Sequence, residues 1–241
     1  MNLLQPQDRR SRSAGDSAEA IEARASLLGA GIGRALIDAV VALAAVHAPI
    51  PEAVIVDLGS GAGACLASLH QQRSITGIGI DLSTAAAEHA ARRCPGVIWL
   101  VANADRRLPL QDRSVDLLLS LHGRRNAAEA ARVIAPDGAL VIAVPAPDDL
   151  IELREQVQGA RVERDRSEML LAEYCPPFDV VDRSLVRETP TLERHALLQL
   201  LRGTYRGARH AATGRVASVD RMTVTLSSDV LVLKRLRHHP A

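Results

Sequence analysis

The sequence predicts an α/β protein with a largely parallel β-sheet wound by helices on both faces. Two observations carry this. Short β-branched runs alternate with helical segments four or five times from Val54 onward. The first of these runs also ends in a glycine-rich turn, Asp57-Leu58-Gly59-Ser60-Gly61-Ala62-Gly63, which opens into small helix-forming residues. With 241 residues the chain is long enough to bury one core of its own.

The elements follow from periodicity and punctuation. Gln5 to Asp16 is polar and rich in breakers. From Ser17 to Ala48 apolar residues (Ile21, Leu27, Leu28, Leu36, Ile37, Val40, Val41, Leu43) recur at helical spacing, a lead-in closed by Pro49 and Pro51. Strands are expected at Val54–Leu58, Thr76–Asp81, Val97–Ala102, Val115–Leu121 and Ala139–Val144. The helices between them start near Ala64, at the Ser83 cap, and at Ala127–Ile134, and Pro136-Asp137-Gly138 reads as a tight turn into the fifth strand. After Pro147 the pattern gives a helix over Leu150–Val157, a charged stretch Val162–Glu173 and a break at Pro176-Pro177. An extended Val180–Val186 follows, then a helix capped by Thr191 and running through Leu201, and closing antiparallel strands in Thr223–Leu233. The chain thus divides into residues 1–48, a basic segment with a helical lead-in, and 49–241, the main domain. Residues 148–215, inserted above the scaffold, are the expected substrate-recognition region.

Composition narrows the partners. Net charge is +1, which excludes a polybasic coat, so any contact with a polynucleotide must be local. All but one of the 29 basic residues are arginine, Lys234 being the exception, and arginine suits bidentate phosphate contacts. Cys65, Cys94 and Cys175 are scattered, with no paired spacing, so neither a disulfide framework nor a bound metal is expected, and they read as reduced, buried residues. No window reaches the roughly 18 apolar residues of a membrane span, and no signal-peptide pattern opens the chain; a soluble, cytoplasmic protein is expected.

The glycine turn lets a ligand lie against bare backbone at a helix N-terminus, and Asp81 ends the second strand eighteen residues after Gly63, where a carboxylate can accept from ribose hydroxyls. Nicotinamide binders space their glycines as Gly-x-Gly-x-x-Gly. Here they fall at every second position behind an acid. With Asp81-Leu82, Asn103-Ala104-Asp105 and Asp116, this resembles the class I S-adenosylmethionine-dependent methyltransferases, which implies a Rossmann-like seven-stranded sheet with a substrate insert before the last strands. The resemblance implies that Asp57, Gly59, Ser60, Gly61, Ala62 and Gly63 face the amino-acid moiety of S-adenosyl-L-methionine. It places the ribose at Asp81 and Leu82, the adenine at Asn103 and Ala104, and Asp116 in a structural role beneath the cofactor.

The acceptor is indicated by the N-terminal region. Asn2–Arg12, Gly15–Glu19, Glu22-Ala23-Arg24 and Gly29-Ala30-Gly31 closely resemble the bacterial 23S ribosomal RNA guanine-N1 methyltransferases. Further likeness lies in Arg106–Leu110, Glu129–Val133, Val144–Pro147, Leu150–Leu153 and Leu197-Leu198-Gln199. Two arginine-rich stretches, Arg9, Arg10 and Arg12, and then Arg202, Tyr205 and Arg206 with Arg209, His210 and Arg215, are the expected contacts to 23S rRNA. His122 and Asp148 stand on the rim where the methyl emerges and are the candidate bases. Asp149 takes the place of a family histidine close to the cofactor. The family begins with a zinc module, and this chain starts where that module would end. Gly33 and Gly203 replace family aromatics, and only four aromatics occur in all. These departures keep two alternatives in view, a small-molecule methyltransferase and a cofactor-binding pseudoenzyme.

Overall fold

The computed structural model describes residues 1–4, 15–123, 126–158, 167–204, 216 and 218–236. Two lead-in helices, α1 (Ala18–Gly29) and α2 (Arg34–His47), precede the alternating region. Ser17 caps α1 by accepting from the Ala20 amide at 3.2 Å. No single described helix is long and apolar enough to cross a membrane. The alternating region runs β1 (Ala53–Leu58), α3 (Ala64–Gln72), β2 (Ile75–Asp81), α4 (Thr84–Arg93), β3 (Ile98–Val101), β4 (Val115–Leu121), α5 (Ala127–Val133) and β5 (Ile134–Pro145). After it come α6 (Ile151–Gln158), α7 (Ser167–Tyr174), β6 (Phe178–Glu188), β7 (Thr191–Glu193), α8 (Arg194–Thr204), β8 (Arg221–Thr223) and β9 (Leu226–Arg235).

Seven strands form one sheet in the order β3-β2-β1-β4-β5-β9-β6. The first five are parallel, and β9 inserts antiparallel between β5 and β6. The fold is therefore the Rossmann-like seven-stranded sheet that the sequence predicts. Successive strand residues point to opposite faces, so Ile55, Leu117, Leu119 and Val141 pack in one core layer. Val56, Leu118, Leu140 and Ile142 pack in the other. A third cluster joins α1, α6 and α8 through Leu27, Leu153, Leu197 and Leu201.

Three local expectations are corrected. Pro136-Asp137-Gly138 does not separate a helix from a strand: β5 begins at Ile134, and the extra residues form a bulge where the register with β4 jumps between Val115 and Leu117. Thr191 is not a helix cap, because Thr191–Glu193 pairs with β8 and the Thr191 and Thr223 hydroxyls bond at 3.0 Å. Cys175 is exposed; only Cys65 and Cys94 are buried.

Candidate functional site

A cavity of about 820 Å³ opens above the C-terminal ends of β1, β2, β4 and β5, the position at which open parallel sheets bind ligands. One wall is the glycine turn between β1 and α3. Gly59, Gly61 and Gly63 all take positive φ (77°, 53° and 79°), which an L side chain resists. Gly63 has a second constraint, since a Cβ there would collide with the Trp99 ring. Trp99 is packed under the turn and donates its indole N–H to the Cys94 carbonyl at 2.9 Å. The sequence offered no signal for this support beyond the rarity of the residue.

Asp57, Gly59, Ser60, Gly61, Ala62, Asp81, Leu82 and Ala104 all line the cavity; Gly63 and Asn103 do not. Asn103 instead accepts from the Asp105 amide at 3.0 Å and shapes the loop after β3. Asp57 is 3% exposed, and its Oδ1, like Ser60 Oγ, is buried without a hydrogen-bond partner among the described residues. Burial, reinforced by the nearby Asp81 charge, raises the Asp57 pKa to about 7. Asp81 accepts from the Gly61 amide at 2.9 Å through Oδ2 and from the Ser83 amide at 2.7 Å through Oδ1. Burial raises its pKa also, opposed by those two backbone bonds. A carboxylate has about four acceptor positions, so both oxygens retain capacity for ligand hydroxyls. Asp116 accepts from the Val54 amide at 2.8 Å, at the opposite end of β1, and is structural.

The opposite wall comes from β4, the turn after β5, and β9. His122 lies in the left-handed region (φ 53°) and its Nε2 is 2.9 Å from Ser228 Oγ; both residues line the cavity. Asp149 lines it as well, but its Oδ1 accepts from the Ser227 amide at 3.0 Å, which fixes the start of β9. Asp148 does not line the cavity. Its carboxylate is 3.0 Å from the Arg187 guanidinium on β6, which removes it from the rim where a base is needed.

A further side is built from the lead-in and α8, where Gly15, Asp16, Arg24, Gly33 and Gly203 line the cavity. Gly33 sits at φ 82° as the N-terminal cap of α2, and Glu188 of β6 accepts from its amide and from that of Ala35. Any side chain at Gly203 would press on Arg24, whose Cγ would lie 2.8 Å from the added Cβ. Backbone conformation at Gly33 and close packing at Gly203 thus favour glycine at both positions. Arg202 is exposed on α8. Arg9, Arg10, Arg12, Tyr205, Arg206, Arg209, His210 and Arg215 lie outside the described residues.

Sequence reasoning missed Arg24, Arg154 and Glu188 as cavity residues. Arg154 is buried, donates to the Pro147 carbonyl at 2.8 Å and lines the cavity near Asp149. No periodicity marks a side chain that acts from another element.

The family model of the methyltransferase domain matches residues 55–138. A relative from Streptomyces fradiae, a 23S rRNA (guanine(748)-N(1))-methyltransferase, is 34% identical over 201 residues, 82% of this chain and 70% of its own. A relative from Micromonospora griseorubida, provisionally named a 23S rRNA (guanine-N(1)-)-methyltransferase, is 32% identical over 230 residues, 88% and 78% of the two chains. Among solved structures, a SAM-dependent methyltransferase from Thiobacillus denitrificans in complex with S-adenosyl-L-homocysteine shares the fold. Its TM-score is 0.50 at 18% identity, over 81% of this chain and 90% of that one. Kinship of this extent, on a sheet of this order, makes the protein an S-adenosylmethionine-dependent methyltransferase, and the chain belongs to the 23S rRNA guanine-N1-methyltransferase family.

Proposed function

We propose that the protein methylates N1 of a guanine in 23S rRNA. The observation that carries this reading is a cavity that runs from the glycine turn to His122 and is lined on a further side by Asp16 and Gly203. Those two residues adjoin the arginine-rich stretches of the sequence. The kinship with 23S rRNA methyltransferases supports the same acceptor.

The residues present fit S-adenosyl-L-methionine. The buried, unpartnered Asp57 Oδ1 and Ser60 Oγ offer acceptors to its ammonium, and Asp81 offers both oxygens to its ribose hydroxyls. Ala102 and Ala104 give an apolar wall for the adenine. When bound, the donor supplies a methyl group on a sulfonium that departs as a neutral thioether. The chain's part is orientation and proton removal, because N1 of guanine carries a proton that must leave. His122, its ring held by the 2.9 Å contact of Nε2 with Ser228 Oγ, is the group that takes that proton. Asp149 and Arg154 hold the turn that faces it. Residues 148–215 as the recognition region, and the two arginine stretches as the RNA contact, complete the reading.

The test is incubation of the protein with labelled methyl donor and unmodified large-subunit RNA, followed by digestion to nucleosides. Label is expected in 1-methylguanosine. Donor binding without label in RNA refutes the acceptor.

A further inference from the structure

Glu188 brings a carboxylate to the cavity wall from β6. The residues that fit the donor, Asp57, Ser60, Asp81 and Ala104, come from β1, β2 and the turns that follow β1 and β3. In the sheet order β6 lies at the opposite edge, beyond β4, β5 and β9. Glu188 therefore stands in the half of the cavity left for the acceptor.

Two independent constraints place its side chain. The register pairs Glu188 with Leu226 and Val186 with Ser228. Paired residues, and residues two apart along a strand, share a face of the sheet, so all four project to one side. Ser228 Oγ lies 2.9 Å from His122 Nε2. Glu188 is thus one two-residue step, about 7 Å, along the sheet from the position that holds the imidazole. The second constraint acts on the carboxylate itself. Oε1 accepts from the Gly33 amide and Oε2 from the Ala35 amide at 3.3 Å, and Gly33 and Ala35 also line the cavity. Each oxygen uses one lone pair on these amides and keeps another for a ligand donor.

N1 and the 2-amino group are adjacent donors on the Watson–Crick edge of guanine. A fixed acceptor beside an imidazole complements that pair. Adenine has only a C–H where guanine has the amino group, and hypoxanthine keeps N1–H and the 6-oxo group but lacks the amino group. We propose that Glu188 is a specificity-determining residue that accepts from the 2-amino group of the target guanine while N1 faces His122. This rests on the guanine-N1 reading above and names the contact that selects the base. A base without the amino group leaves the carboxylate facing a C–H, desolvated with no bond regained. Glu188 also caps α2, since Gly33 has no side chain to do so. A cap alone has no preference among bases, and the experiment reads that difference.

The test uses the full chain, labelled S-adenosyl-L-methionine and two synthetic 23S rRNA fragments that carry either guanosine or inosine at the nucleotide where label maps. For the wild type, kcat/KM on the inosine fragment is expected to be lower by about 10- to 100-fold, the scale of one hydrogen bond to a charged group. Glu188→Gln can keep the Gly33 bond through its carbonyl oxygen but has no charge to offer the base. Its ratio should fall to about threefold or less, through a slower reaction with guanosine. If that variant does not fold, Glu188→Asp, which withdraws the charge by one methylene, gives the same comparison. Equal wild-type rates on the two fragments overturn the proposal without any variant. An unchanged ratio in Glu188→Gln, with both fragments slowed alike, assigns the residue to the α2 cap alone and overturns it too. Absence of label from both fragments refutes the guanine acceptor and this contact with it, whereas label in both at one rate refutes the contact alone.

Discussion

Replacing Asp57 with asparagine removes a carboxyl whose ionisation the fold opposes. Asp57 is 3% exposed and its pKa is raised to about 7, first by burial and then by Asp81. In the unfolded chain the same group ionises near 3.8. Between these values the native state keeps a proton that the unfolded state has released. The stabilisation is therefore fully present below the unfolded value and is lost as pH rises through the folded one. From pH 5 to pH 8 the ligand-free wild type should lose ~3 kcal/mol on this account, at about 1.36 kcal/mol per pH unit across the window. For a chain of this size that is roughly 5–10 °C in Tm. The asparagine of Asp57→Asn is neutral throughout, and the other titrating groups are shared, so the difference in pH slope between the two proteins isolates Asp57. Urea unfolding of both proteins at pH 5 and pH 8 measures it. Parallel losses, equal within about 0.5 kcal/mol, would refute the claim that burial holds this carboxyl neutral.

Three further outcomes follow. Asp81→Ala removes the acceptor at the end of β2 and frees the Gly61 and Ser83 amides; calorimetry should show donor affinity down by about 100-fold or more, a loss of two or more charge-assisted bonds, and wild-type affinity would overturn the ribose assignment. His122→Gln should bind donor as the wild type does but lower kcat on RNA by about 10²–10⁴, with single-turnover assays at several pH values reporting whether the dependence on the imidazole is gone. Arg132→Ala breaks bonds to Glu129, Asp112 and the carbonyls of Leu108 and Leu110; chemical unfolding should show a loss of about 2 kcal/mol or more, and a change under about 0.5 kcal/mol would show that this cluster is only a solvated surface pair.

Arg132 also shows where local reading stops. Arg106–Leu110 and Glu129–Val133 read as two separate points of family likeness. In the structure they are one device: Glu129 accepts from the Leu108 amide at 2.7 Å while Arg132 holds the Leu108 and Leu110 carbonyls. Likewise Leu150–Leu153 and the last strands come together through Glu152, which accepts from the Thr225 amide and hydroxyl at 2.8 Å each. Thr191, read as a cap, went to a strand because β8 offered it backbone partners. Asp148, read as a base on the rim, went to Arg187 on β6.

The sequence by itself determined the alternation of strands and helices, the Ser83 cap, the glycine turn and its acid at Asp81. All of these are local: side-chain period, capping chemistry and permitted φ act within a few residues, so their signals survive in one dimension. Only the tertiary structure decided that Trp99 supports Gly63, that Arg24 spans Asp16 and Gly203, and that Asp57 is sealed beside Asp81 with its proton held to about pH 7. Burial and long-range pairing depend on which distant segments meet, and the energy of a charge is set by what surrounds it in space.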